Sequence, residues 1–234
     1  MKTEESDDMK NLSSKSERNF FNDKRFWIPL YLFNFLETIS WIFQLILMSD
    51  VIHKDSYFYF LKPKTWPQYY IFTFLFGFFA GLNAVAGHEL LHKREFYNKM
   101  IGTWAYSKFM YSHFLDEHTK GHHKYLGTSE DPATARKNET VYEFVLRSVV
   151  NSHINCWNRE VKRIKKELGN DIPKTLIFFN NKMVMYFILH ISILACIAFF
   201  LGANALKYQF CYTFWGIWYL ELINYIEHYG IIRE

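Results

Sequence analysis

Apolar and polar residues are strongly segregated along this chain. Residues 1–25 are polar and carry mixed charges, whereas four later stretches are long, apolar and almost free of charge; they cover residues 27–48, 69–87, 183–203 and 208–226. About 20 helical residues cross the roughly 30 Å hydrocarbon core of a bilayer. Helices on the surface of a soluble protein need a polar outer face, which these stretches lack. The pattern therefore predicts about four transmembrane helices.

The N-terminal segment differs from the remainder of the chain. Because residues 1–25 contain no apolar stretch, they do not resemble a cleaved signal peptide, and we interpret them as a flexible polar tail. Residues 26–234 then form one membrane-embedded domain, since 234 residues fit a single domain.

The distribution of Lys and Arg predicts the orientation in the membrane. Most of these residues lie between the second and third apolar stretches, whereas the turn between the third and fourth stretches contains only Lys207. Positive residues favour the cytosolic side. We expect the N-terminus and the large basic region to face the cytosol. The predicted fold class is all-α: an integral-membrane, multi-pass helical bundle with a cytosolic helical cap.

Composition and charge exclude several other classes of protein. A 50% hydrophobic and 20% aromatic content argues against disorder. The net charge of +4 is too small to indicate nucleic-acid binding. Three widely spaced cysteines predict neither a disulfide framework nor a CxxC zinc site.

Histidines form two pairs with helical spacing. His88 and His92 in HELLHK are four residues apart, as are His118 and His122 in EHTKGHH, so each pair lies on one face of a helix. His123 follows directly and is turned away by about 100°. Such a group of three histidines can supply two metals, or two faces of one metal.

A polar stripe marks the last apolar stretch. Glu221, Asn224 and His228 are spaced i, i+3 and i+7 on a helix that is otherwise suited to lipid. Polar groups at membrane depth usually point toward a site inside the bundle. With four crossings, this end of the helix lies on the same side as the other histidine motifs.

Six histidines from distant segments are therefore expected in one layer. Neutral imidazoles suit iron, zinc or copper better than magnesium or calcium. HELLH alone also matches the HExxH pattern of zinc proteases, with Glu89 as the base. The remaining histidines (His53, His113, His153 and His190) are weaker candidates. The predicted metal ligands are His88, His92, His118, His122, His123 and His228.

The motifs HELLHK, EHTKGHH, EDPATAR and NYIEHYG together resemble the membrane-bound alkane 1-monooxygenase family, within the wider group of histidine-rich membrane hydroxylases and fatty acid desaturases. The resemblance runs from about residue 66 onward. Plain acyl desaturases usually have HxxHH where this chain has HxxxHH, which favours the hydroxylase branch.

The resemblance implies a non-haem centre of two iron ions, held by the six histidines named above. It further implies a monooxygenase that uses O₂ to hydroxylate the terminal carbon of an alkane or a fatty chain taken from the bilayer. Electrons would come from NAD(P)H through a rubredoxin-like or other carrier at the cytosolic face, and no nucleic-acid partner is expected.

The chain also departs from the family pattern. A further HxxHH motif expected beyond NYIEHYG is absent before Glu234, so we expect a C-terminally truncated member. Three alternatives stay open: a non-catalytic remnant that keeps the membrane fold, a fatty acid desaturase, and a zinc HExxH membrane protease. The sequence assigns no role to Glu89, Glu221, Glu227 or His113, and it indicates no oligomeric state.

Overall fold

The computed structural model describes residues 23–231 and residue 233, and every regular element in these residues is helical. The predicted tail at residues 1–25 lies outside the described residues except for its last three. An all-α architecture is therefore confirmed for the part of the chain that the structure describes.

Two long helices open the described chain, and a shorter one follows them. A 3-10 turn at Lys24–Trp27 leads into α1, and a second one at Tyr57–Leu61 precedes α2. The helices are α1 (Ile28–Met48), α2 (Trp66–Leu91) and α3 (Phe96–Ser107).

The second half of the chain begins with a compound helix, which we call α4. It consists of Phe114–Glu117, a single π-helical turn over His118–His122, and a last turn over His123–Tyr125. The remaining helices are α5 (Val141–Leu168), α6 (Lys174–Asn180) and α7 (Lys182–His228).

Three of these helices are long and apolar enough to cross a membrane: α1 with its preceding turn, α2 and α7. The first two match the predicted spans closely. The third contains both of the remaining predicted spans in one element of 47 residues. A straight helix of that length would measure about 70 Å, more than twice the thickness of the hydrocarbon core.

Helix α7 folds back on itself at Gly202, where the backbone takes the non-helical angles φ 84° and ψ −177°. Tyr186 near its start donates a hydrogen bond of 2.9 Å to Asp116 Oδ2. His228 at its end packs on His122, with 4.6 Å between ring centroids. Both ends of α7 thus contact α4, so residues 182–201 form a first arm and residues 203–228 return as a second arm.

The position of this reversal differs from the prediction. The apolar pattern placed the turn at about residues 204–207, but these residues are helical. Gly202 makes the turn because its backbone region is accessible almost only to glycine. The two arms account for the third and fourth crossings.

The one charge in α1 is buried inside the bundle. Glu37 forms an ion pair with Lys108, whose side chain is also fully buried. Tyr212 from the second arm donates a further hydrogen bond of 2.5 Å to Glu37 Oε1. The pair joins α1, the end of α3 and α7, which explains how a carboxylate is tolerated at this depth.

Close helix packing places α2 against its neighbours. A Cβ on Gly81 would lie 2.7 Å from Cβ of Tyr219 in the second arm of α7, and a Cβ on Gly87 would lie 2.8 Å from Cβ of Ala105 in α3. These glycines let the helices approach closely. The C-terminal end of α2, the middle of α4 and the C-terminal end of α7 consequently meet at one end of the bundle.

Candidate metal centre

Four of the six predicted ligands form one cluster. One ring nitrogen from each of His88, His92, His118 and His123 lies within 4.8 Å of the others. The Nε2 atom of His118 is 2.5 Å from that of His88 and 2.9 Å from that of His123. The Nε2 atoms of His92 and His88 are 3.0 Å apart. We call these residues the four-histidine cluster.

The donor set of this cluster fits a transition-metal cation. Each Nε2 atom of a neutral imidazole carries either one hydrogen or one lone pair. Four such atoms form at most two well-directed hydrogen bonds, yet three close contacts are present. A cation between the rings would accept all four lone pairs. Imidazole nitrogen is a ligand that iron, zinc and copper prefer.

A π-helical turn in α4 decides which histidines join the cluster. Regular α-helical spacing placed His118 and His122 on one face and turned His123 away, and the structure corrects this. The wider turn over His118–His122 brings His123, five residues beyond His118, onto the same side. Such turns are rare and occur often at functional sites.

His122 and His228 stand beside the cluster as a separate pair. Their ring centroids are 4.6 Å apart, and the His122 centroid is 5.2 Å from that of His118. All six predicted ligands therefore lie in one region. Four form the cluster and two form the His122–His228 pair, and the role of each as a metal ligand stays a prediction.

Hydrogen bonds fix the orientation of both rings in this pair. His122 Nδ1 donates to Asp131 Oδ2 at 2.9 Å, and His228 Nδ1 donates to the backbone oxygen of Asn224 at 3.0 Å. The Nε2 atom of each ring then carries the lone pair. Histidine ligands typically present one nitrogen to a metal while the other donates to a carboxylate or carbonyl.

Asp131 is a residue of this site that the sequence reasoning missed. Its carboxylate accepts hydrogen bonds from Thr134 Oγ1 at 2.5 Å and from the Ala133 backbone N–H at 3.1 Å, besides the one from His122. Burial raises the pKa of this carboxyl. The hydrogen bonds from His122 and Thr134 lower the pKa by more than burial raises it, so the net pKa is below the usual value. The EDPATAR motif was the available signal.

The cluster is electrostatically suited to hold a metal rather than protons. Burial, reinforced by the charge that neighbouring imidazoles would carry, lowers the pKa of His118 to about 2. Burial also lowers the pKa values of His92 and His123. All three rings are therefore neutral at pH 7 and keep their lone pairs.

The residues without an assigned role fall in different places. Glu89 Oε1 lies 3.5 Å from Nδ1 of His88, while Glu227 is exposed. Glu221 is buried and accepts a hydrogen bond of 2.8 Å from Tyr111. His53 is exposed in the segment that follows α1, away from the six histidines. The other three histidines line a separate cavity.

A strongly basic cleft of about 780 Å³ lies next to α4. We call it the basic cleft. Its lining contains a single carboxylate, Glu130, and eight cationic side chains; these are Lys120, Lys124, Arg136, Arg147, Arg159, Lys162, Arg163 and Lys166. Lys120 and Lys124 belong to the same helix as the histidines, so the cleft and the candidate centre share an element.

Comparison with known proteins shows what this chain resembles. It is 30% identical to an alkane 1-monooxygenase of Ectopseudomonas oleovorans over 173 residues. The matched region covers 74% of this chain and 42% of that protein. It is 34% identical over 158 residues to alkane 1-monooxygenase 1 of Alcanivorax borkumensis, covering 68% and 38% respectively.

A more distant relative is the xylene/toluene monooxygenase hydroxylase component XylM of Pseudomonas putida, 26% identical over 150 residues, which cover 63% of this chain and 38% of that protein. The chain thus spans about two fifths of the length of these curated relatives. Residues 64–234 match the model of the fatty acid desaturase family. Together with the apolar helices and the histidine motifs, this match establishes that the chain is an integral membrane protein of the fatty acid desaturase family.

Proposed function

We propose that this chain belongs to a non-haem di-iron monooxygenase that hydroxylates the terminal carbon of alkanes or fatty chains. One oxygen atom of O₂ would enter a C–H bond, and the other would leave as water after uptake of two electrons and two protons. The observation that carries the proposal is the convergence of the four-histidine cluster and the His122–His228 pair.

The residues of the chain would divide the work between two metal positions. The four-histidine cluster would hold one iron, and the His122–His228 pair would contribute to the second. Bound iron supplies a Lewis-acidic, redox-active centre with open positions for oxygen. Asp131 accepts a hydrogen bond from His122 Nδ1, which leaves the lone pair on Nε2, the atom that would bind the second iron.

The membrane setting supports an alkyl substrate. A hydrocarbon dissolves in the bilayer, and His92 and His228 lie at the C-terminal ends of α2 and α7, two helices that are apolar enough to cross it. We propose that the substrate enters from the lipid. The alkane 1-monooxygenase names of the relatives agree with this class of substrate.

The basic cleft supports an electron-carrying protein partner. Its cationic lining complements an acidic carrier such as a rubredoxin-like protein, fed by NAD(P)H through a reductase. Opposite charges accelerate and orient protein association. Because positive residues favour the cytosol, we place the cleft, the histidines and the N-terminus on that side.

A non-catalytic protein with one metal is the second candidate. The observation that favours it is that four imidazoles converge in one cluster, whereas the neighbouring pair offers only two. A zinc protease is disfavoured, because it leaves His118 and His123 unexplained and because the chain belongs to the desaturase family.

Metal content and product formation test the proposal together. The chain would be expressed in membranes, purified with iron supplied, and analysed for iron and zinc by mass spectrometry. We expect two irons per chain, and ¹⁸O-labelled 1-octanol from octane when ¹⁸O₂ and an electron-carrier system are added. One iron without product would favour the non-catalytic candidate, and zinc without iron would contradict the di-iron proposal.

A further inference from the structure

Three histidines outside the candidate centre line a second cavity. His113, His153 and His190 come from α4's N-terminal cap, α5 and the first arm of α7, and they border a cavity of about 310 Å³. The rings of His113 and His153 lie 3.6 Å apart between centroids. We call this the side cavity. Its volume is at the lower end of the range for small-molecule sites.

Hydrogen bonds define the tautomer of His153. Its Nδ1 atom lies 2.7 Å from the backbone oxygen of Val149. A carbonyl oxygen only accepts, so Nδ1 carries the hydrogen and Nε2 carries the lone pair. His153 is therefore a hydrogen-bond acceptor toward any further partner.

A chain of hydroxyl groups defines the tautomer of His190. Ser107 donates to the backbone oxygen of Thr103 at 2.7 Å, so it must accept from Ser112 at 2.8 Å. Ser112 has thereby used its only hydrogen and must accept from His190 Nε2 at 2.8 Å. The lone pair of His190 consequently lies on Nδ1.

Hydrogen bonds also define the tautomer of His113. Ser152 donates its hydrogen to the backbone oxygen of Val149 at 3.0 Å, and its oxygen accepts from His113 Nε2 at 3.1 Å. Tyr186, which also lines the cavity, donates its hydroxyl hydrogen to Asp116 at 2.9 Å. Three imidazoles thus offer acceptor nitrogens, while the Tyr186 hydrogen is already used.

The rest of the lining is apolar and close to lipid. The cavity is bordered by Trp157, Phe178, Met183, Val184 and Phe187. Phe187 is 65% exposed and Phe178 is 48% exposed, next to the membrane-spanning arm of α7. These side chains connect the cavity to the hydrocarbon around the bundle.

Helix α5 sets the depth of this opening. It exposes an apolar stripe at helical spacing; the stripe consists of Tyr142, Leu146, Val150, Ile154 and Trp157. Its other side contributes Lys and Arg to the basic cleft. A helix with this pattern lies in the interface between headgroups and acyl chains. The side cavity therefore opens where an amphiphile keeps its polar end.

We propose that the side cavity binds a long-chain alkyl alcohol, with its hydroxyl on the histidines and its chain along the apolar side chains toward the bilayer. A hydroxyl has the donor that the imidazoles need, and its oxygen keeps lone pairs for a further hydrogen bond. A carboxylate, an aldehyde or an alkane has no hydrogen to donate. Burial lowers the pKa values of His113 and His153, which keeps both rings neutral.

The inference goes beyond the proposed function, because binding at this site needs no metal and no turnover. Its test uses the metal-free full chain in lipid nanodiscs. The probe is 2-bromo-1-decanol, whose bromine lies next to the hydroxyl and quenches the fluorescence of Trp157, a residue of the cavity lining, on contact. The Trp157 signal is the difference between the wild-type chain and Trp157→Phe. The matched probes are 2-bromodecanoic acid and 1-bromodecane at equal mole fraction in the lipid.

We expect the alcohol to quench Trp157 saturably, whereas the acid and the bromoalkane quench in proportion to their concentration. Val184→Phe fills the cavity and should abolish saturation, because Val184 is buried against it. His190→Leu removes one acceptor and should weaken binding roughly five- to tenfold, as expected for one hydrogen bond. The matched control His53→Leu, in an exposed loop, should bind like the wild type.

Three results would overturn the proposal. They are linear quenching by all probes, saturable quenching by the acid or the bromoalkane as strong as that by the alcohol, and saturation that persists unchanged in both Val184→Phe and His190→Leu. Because the protein is free of metal, none of these results depends on whether the candidate centre catalyses hydroxylation.

Discussion

His118 occupies the middle of the four-histidine cluster, since its Nε2 atom faces those of both His88 and His123. His118→Ala removes the shared centre of these contacts and should eliminate iron from the cluster. His228 lies outside the cluster, so His228→Ala should keep the iron of the cluster and lose the iron of the His122–His228 pair. Mass spectrometry of purified protein measures both, with His53→Ala as the control.

A different result for each variant would contradict the assignment of the metal ligands. Normal iron content in His118→Ala would show that the cluster is not the binding site. Complete loss of iron in His228→Ala would show that the cluster and the His122–His228 pair do not bind independently. Circular dichroism must show unchanged helix content in every variant.

Asp131 would act on a bound metal only through the ring of His122, whose Nδ1 donates a hydrogen bond to its carboxylate. Asp131→Asn keeps the size of the side chain but replaces the carboxylate with an amide, so the orientation of His122 weakens. Loss of such a partner typically reduces metal affinity about 10- to 100-fold. Competition with a chelator of known affinity measures the change, and Glu130→Gln, an exposed neighbour, is the control. Equal affinity in the two variants would exclude this role.

The residues of the candidate centre were predictable to different degrees. The six histidines could be found because their motifs and helical spacing are visible along the chain. Asp131 could not be assigned to His122, because that contact depends on how the loop after α4 folds back. His123 was placed on the wrong face, because a π-helical turn leaves no clear pattern in the sequence.

At the scale of helices, the lengths of the apolar stretches predicted correctly that the long helices exist, but predicted less well where they begin, end and turn. Both α1 and α2 form where an apolar stretch with at most one charged residue predicts them, and Thr65 begins α2 with a capping box. The reversal in α7 was predicted a few residues too late. Apolar residues continue through it, and only the backbone of Gly202 reveals its position.

Gly202 should be the least replaceable residue of the hairpin in α7. Gly202→Ala places a Cβ in a backbone region that is almost exclusive to glycine, and that atom would also press against the side chain of Asp50. Gly169→Ala is a matched control, since it has φ 101° and no atom within 4 Å of its added Cβ. Backbone strain alone costs about 1–3 kcal/mol in each variant.

Thermal unfolding in detergent separates the two contributions. We expect a lower midpoint for both variants and a clearly larger decrease for Gly202→Ala, because only that position combines strain with the contact to Asp50. A decrease no larger than that of Gly169→Ala would show that Asp50 moves aside freely. The reversal in α7 would then not depend on the close approach of residue 202 to Asp50.

At the scale of the whole molecule, the bundle brings histidines from distant segments to one end. Topology predicted this layer correctly, because four crossings return the ends of α2 and α7 to the same side. The division into a four-histidine cluster and a pair did not follow from topology. It depends on how α4 packs between α5 and the two arms of α7, which the helical pattern alone does not specify.

The basic cleft lies at the surface, next to the helix that carries three of these histidines. Lys162 and Lys166 on α5 are exposed, and neither forms an ion pair in the described part of the chain, so both are available to an acidic partner. The double variant Lys162→Glu/Lys166→Glu reverses two charges. It should weaken binding of an acidic rubredoxin-like carrier by at least tenfold at low salt, where screening is weakest.

The salt dependence distinguishes docking from a general charge effect. Wild-type affinity should fall steeply as the ionic strength rises from 0.01 to 0.15 M, about the range over which the Debye length shrinks from 30 to 8 Å. The double variant should show a much shallower slope. The control Lys54→Glu/Lys207→Glu changes net charge equally, but neither residue lines the basic cleft. Were that control to lose as much affinity as the cleft variant, net charge rather than this surface would govern association, and the carrier would have to approach the histidines by another route.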